Sequence, residues 1–137
     1  MSAGDSVASG MLLLFAMLGT VPHWARAQAP AAAEPPLPDP LQAGWHGAPV
    51  CERLQEDARQ RLLRCTFPPG GGHERHRHGP HLGYAIAGGR MRITDARGTR
   101  EVELATGSSF ASEGTPWHEV RNIGHSTVVY LIVEAKP

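Results

Sequence analysis

The 137-residue sequence has no excess of charge of either sign: 13 basic and 13 acidic residues give a formal net charge of zero. A neutral chain has no broad electrostatic attraction for nucleic acid or anionic lipid, so neither is expected as a partner. Arg90, Arg92, Arg97 and Arg100 do cluster, but Asp95, Glu101 and Glu103 interleave with them, as on the solvated face of a hairpin. The sequence also lacks a glycine-rich phosphate loop opening a helix and a Gly-x-Ser-x-Gly elbow, which removes the usual marks of nucleotide binding and of serine hydrolases. Cysteine is scarce: Cys51 and Cys65 are the two present, and they are not spaced like a zinc knuckle. No internal repeat suggests a solenoid.

A long apolar run is missing as well. The uninterrupted stretch Met11–Leu18 is far short of the roughly 20 residues a membrane-crossing helix needs. It has the length of the apolar region of a secretory signal, and Ala25-Arg26-Ala27 supplies small residues around a cleavage point. Asp5, not a basic residue, precedes the run; a start at Met11 would leave the α-amino group as its positive charge. The expectation is a signal peptide over 1–27 and a periplasmic or secreted protein without membrane attachment, the alternative being a buried N-terminal helix. Removing residues 1–27 takes one acidic and one basic residue, so the remaining 110 residues stay neutral. That length suits one domain with a modest core.

Residues 28–44 are rich in proline and alanine, which favours an extended linker, and the barrel domain is expected over 45–137. From there on, short apolar runs alternate with turn residues, the mark of strands. Strands are expected at Val50–Leu54, Leu62–Phe67, Leu82–Ala87, Met91–Thr94, Val102–Leu104, Ser108–Ala111 and Val128–Val133, with turns at Gly88-Gly89 and Asp95–Gly98. Many short strands at regular spacing indicate an all-β sandwich or barrel. If the first two pair around a turn near Ala58, Cys51 faces Cys65, within the range of a disulfide. An exported location permits that bridge; the cytosol would keep the pair reduced.

Against these absences stands an abundance of histidine, eight in all, with His73, His76, His78 and His81 falling within nine residues. Neutral imidazole offers a lone pair near physiological pH. On a strand, His76 and His78 project to one face, because side chains alternate with period two. His81 has the opposite parity, but Gly79-Pro80 can reset the direction. A further ligand must come from another strand, and His118 is the candidate. A His-rich surface tract that binds metal loosely is the competing reading; His73 in the glycine-rich loop is assigned to it, and His46 and His125 to the surface. Tyr84, Trp117 and Tyr130 are candidates to line a pocket or to fill the core. Glu113 and Glu119 flank His118 as possible acids or bases, or as exposed strand-end residues.

These residues resemble the cupin family. Its first motif runs Gly, five residues, His-x-His, three or four residues, Glu, six residues, Gly; here Gly70 is followed by His76-Arg77-His78, and His81 by six residues and Gly88. His81 thus stands where the family has its glutamate, after a connection one residue shorter. The second motif runs Gly, five residues, Pro-x-Gly, two residues, His, three residues, Asn; Gly107, His118 and Asn122 match, while Glu113 and Thr115 replace the proline and glycine. Eighteen residues separate Gly88 from Gly107, as in small bacterial members.

The resemblance implies a jelly-roll β-barrel (a double-stranded β-helix) with His76, His78 and His118 as metal ligands and His81 in the glutamate's place. Imidazole-rich sets suit iron, copper, nickel or zinc. A set without an anionic protein ligand favours an anionic co-ligand. The function it implies is a metal-dependent oxygenase or related enzyme acting on a small organic anion. Two alternatives stay open: a non-catalytic module that holds a metal or small ligand, and a metal-free barrel that acts by forming a homodimer.

Overall fold

The structure, a computed structural model, describes residues 34–136. The expected signal segment and the first residues of the expected linker lie outside them. No helix among the described residues is long and apolar enough to cross a membrane.

Among the described residues eleven strands follow one another: β1 (Gly44–Trp45), β2 (Ala48–Pro49), β3 (Cys51–Glu56), β4 (Gln60–Phe67), β5 (Gly72–His78), β6 (His81–Ala87), β7 (Gly89–Asp95), β8 (Gly98–Leu104), β9 (Ser109–Ser112), β10 (Thr115–Asn122) and β11 (Val128–Ala135). Apart from the small β1-β2 pair they form two antiparallel sheets, ordered β5-β10-β7-β8 and β3-β4-β11-β6-β9. This is the expected all-β jelly roll. Every strand read from the apolar runs is present, and β1, β2 and the two histidine-bearing strands β5 and β10 are added.

The core lies between the two sheets. Leu63, Cys65 and Phe67 of β4 and Val128, Tyr130 and Ile132 of β11 meet Met91 of β7 and Val120 of β10. Period-two alternation delivers them: in β11 every second side chain from Val128 to Glu134 is buried. The same alternation turns Leu82, Tyr84 and Ile86 of β6 outward, so Tyr84 is a surface residue and not part of a pocket.

The β3–β4 hairpin turns at residues 57–59, and its register sets Cys51 opposite Cys65. A disulfide joins them. At the turn between β6 and β7, a Cβ on Gly88 would lie 1.9 Å from the Leu104 carbonyl oxygen, so only glycine fits there. Gly70, at φ 77°, makes the turn into β5.

The second half of the segment read as linker is tied to the barrel. Asp39 caps its own turn by accepting from the Leu41 and Gln42 amides and pairs with Arg61 of β4. Arg77 of β5 donates its amide to Pro38 O and its guanidinium to Leu37 O. Residues 37 and 38 are held along the barrel wall by these long-range bonds, and the chain then turns at 39–42.

Candidate metal centre

β5 and β10 are neighbours, and His76 and His118 are cross-strand partners. Irregular register on either side of that pair re-aims side chains locally, as β-bulges do. His76, His78 and His118 therefore converge from one sheet. Their ligand nitrogens all lie within 4.8 Å of one another. His76 Nε2 is 3.0 Å from His78 Nε2 and 3.0 Å from His118 Nε2.

Hydrogen bonds fix which nitrogen is free. His76 Nδ1 donates to Glu74 O at 2.6 Å, which leaves Nε2 of the neutral ring with a lone pair and no proton. His81 Nδ1 likewise donates to Gly79 O at 2.8 Å. The single lone pair of His76 Nε2 faces two other nitrogens at equal distance, an arrangement one shared proton satisfies poorly and one cation satisfies well. Two nitrogens each about 2.1 Å from an ion are about 3.0 Å apart when the angle between them is a right angle. The donor set fits a transition-metal ion.

Desolvation dominates the electrostatics. Burial, reinforced by neighbouring imidazoles, lowers the pKa of His76 to about 2 and that of His118 to about 3, and burial lowers His81 as well. These rings are neutral at physiological pH, the state a ligand requires.

His81 enters from the other sheet, because the chain crosses between sheets in the two residues Gly79-Pro80. It is buried, and its ring centroid is 4.8 Å from that of His78. It stands beside the three converging nitrogens without belonging to their close group.

His73 corrects the sequence reading. It is no surface residue: it is 1% exposed, stacks on His76 with ring centroids 3.7 Å apart, and donates Nε2–H to Ala43 O. From His73 to His76 the chain of β5 advances three residues while β10 advances two, Val120 to His118. That bulge reverses the parity and brings His73 to the same side as His76. His46 and His125 are exposed, as expected, and so are Glu113 and Glu119.

A cavity of about 740 Å³ reaches His81 and His118. Its wall is mainly apolar, with Met91, Ile93, Val102, Leu104 and Phe110, while Trp117 and Tyr130 also line it. Burial pushes the Tyr130 hydroxyl pKa up, so it remains a proton donor. At the β7–β8 tip, Asp95 accepts from Arg97 and Arg100, and all three residues line the cavity.

Sequence reasoning missed Glu134. It is 2% exposed, and its Oε2 accepts from Arg61 Nε and pairs with Arg61 Nη2 at 2.6 Å. Its Oε1 accepts from the Gly79 amide at 2.8 Å and lies 3.3 Å from His78 Nδ1. Burial raises its pKa, but His78 and Arg61 outweigh that and hold it at about 2. The signal was parity, since Glu134 follows Val128, Tyr130 and Ile132 on the inward face.

Comparison with known proteins agrees with this architecture. No curated protein matches the chain. A cupin domain from Bordetella pertussis Tohama I is 22% identical, with a TM-score of 0.61, over 69% of this chain and 95% of that one. A cupin superfamily protein from Desulfitobacterium hafniense DCB-2 is 15% identical, with a TM-score of 0.51, over 64% and 77%. A Thermotoga maritima protein described as a predicted oxalate decarboxylase is 18% identical, with a TM-score of 0.50, over 64% and 79%. Likeness at these identities speaks to the fold. A family model described as the cupin domain matches residues 63–134, more than half of the chain and every histidine of the cluster, and the chain belongs to that family.

Proposed function

We propose that this chain binds one divalent transition-metal ion through His76, His78 and His118 and presents it to a small organic anion in the adjoining cavity. The observation that carries the reading is that His76 Nε2 lies 3.0 Å from both His78 Nε2 and His118 Nε2, with His76 Nδ1 already committed to Glu74 O. Iron, copper, nickel and zinc all suit such a set.

The substrate class follows from charge and shape. Three neutral imidazoles leave the ion's charge uncompensated by its ligands, which favours an anionic co-ligand. The β7–β8 tip adds two guanidiniums against the single Asp95 carboxylate. The apolar wall accepts a hydrocarbon body, and the cavity has the size of small-molecule sites. A bound ion of this kind supplies Lewis acidity to a coordinated oxygen. Around it the protein orients the anion, excludes water with the apolar wall, and holds a proton on Tyr130. We read the activity as that of a metal-dependent oxygenase or related enzyme.

The location is exported in this reading. The Cys51–Cys65 disulfide supports an oxidising compartment, and the Met11–Leu18 run supports a signal. Adding azide or acetylacetone to iron- or copper-loaded protein tests whether the ion is reachable. The account expects the absorption or magnetic resonance spectrum to change. An unchanged spectrum at saturating ligand means a closed site, and a non-catalytic binding module then replaces the enzyme.

A further inference from the structure

Among the described residues Glu134 is the only buried carboxylate, and nothing in the ligand set requires it. Acidic residues are rarely buried unless paired. Its pairing is incomplete in charge: Arg61 serves both Glu134 Oε2 and Asp39 Oδ2, so one guanidinium faces two carboxylates and the group carries a net charge of −1. That surplus lies next to the histidine cluster.

The cluster has a matching deficiency. His76 and His81 each anchor Nδ1 on a backbone carbonyl. Among the described residues no group makes a well-aligned hydrogen bond to the buried His78 Nδ1, and Glu134 Oε1 lies 3.3 Å from it. Oε1 accepts one hydrogen bond, from the Gly79 amide, and keeps capacity for another.

We propose that Glu134 is a positioning residue of the metal centre: it accepts the Nδ1–H of His78, orients that ring, and supplies the negative charge that the ligand set lacks. The inference rests on the metal reading above. Arg61 holds the carboxylate in place, and Asp39 ties the segment before β1 into the same group. Carboxylates that accept from a ligand histidine raise its basicity, and their loss weakens metal binding by about 10- to 100-fold.

The test is calorimetric titration of zinc ion alone into metal-stripped, untagged wild-type, Glu134→Gln and Asn122→Ala chains. Glutamine keeps the size of the side chain and removes its charge. The expected result is a 10- to 100-fold weaker Kd for Glu134→Gln, while Asn122→Ala, destabilised elsewhere, stays within about threefold of wild type. A Glu134→Gln Kd within threefold of wild type overturns the proposal and leaves the metal reading intact; wild-type protein that binds no zinc overturns both. Should Glu134→Gln fail to fold, nitrogen-15 NMR of zinc-loaded wild type decides: a slowly exchanging proton on His78 Nδ1 supports the proposal, and a bare or freely exchanging Nδ1 refutes it.

Discussion

His81 and Glu134 are cross-strand partners on β6 and β11, both turned into the barrel. The motif that the sequence resembles has a glutamate at the position of His81. Restoring it by His81→Glu would set two carboxylates directly opposite each other, a destabilising pair. The metal-free variant should be less stable than wild type at pH 8 and lose less at pH 5.5, where one of the two carboxyls takes a proton. Urea titrations at the two pH values check this; an equal deficit at both means the carboxylates do not interact.

Asn122 matches the asparagine of the family's second motif, and its role here is structural. It is fully buried and donates to Phe67 O and Ser126 O while accepting from the Gly124 amide. Asn122→Ala strands these backbone groups and should cost about 2–4 kcal/mol, measured by urea unfolding, with metal stoichiometry unchanged.

His73→Ala should separate packing from ligation. The ring is buried against His76 and Phe67, so its removal should destabilise the fold by about 2–4 kcal/mol. Metal content should stay at the wild-type value, because His73 is outside the converging group.

The disulfide closes a loop with a sequence separation of 14, for which chain-entropy arguments give about 3 kcal/mol. Denatured, non-reduced protein should yield no alkylated thiol by mass spectrometry. A Cys51→Ala/Cys65→Ala variant should unfold at correspondingly lower urea.

Metal-free protein should lose stability on mild acidification. Burial lowers His73 to about 4, His118 to about 3 and His76 to about 2, while unfolded histidine titrates near about 6.5. Between about pH 6.5 and 4 the unfolded chain binds protons that the fold refuses, so stability falls as pH falls. Each such group contributes up to about 1.4 kcal/mol per pH unit. Urea midpoints should be level above pH 7 and decline below 6.5; a midpoint that rises on acidification contradicts the buried, neutral assignment.

Much of this architecture is legible in the sequence because it depends on local periodicity. Turn residues delimit the strands, period two puts His76 beside His78, and a hairpin centred on Ala58 dictates that Cys51 meets Cys65. The unread parts depend on departures from periodicity or on distant partners. A bulge in β5 inverts the parity of His73, whereas the inward turn of His81 was open in the sequence through the Gly79-Pro80 break. Asp39 looked like part of a solvated linker because its partner, Arg61, is 22 residues away. Glu134 obeys the alternation of β11, but a carboxylate is rarely buried without a partner, and Arg61 is 73 residues away in the sequence.

The central claim is a single ion held by three histidines, and elemental analysis of untagged protein tests it most directly. The account predicts one transition-metal ion per wild-type chain, near-complete loss in His76→Ala, His78→Ala and His118→Ala, and retention in His73→Ala. Folded wild-type protein that takes up no stoichiometric metal, or equal partial losses across all four variants, would contradict it.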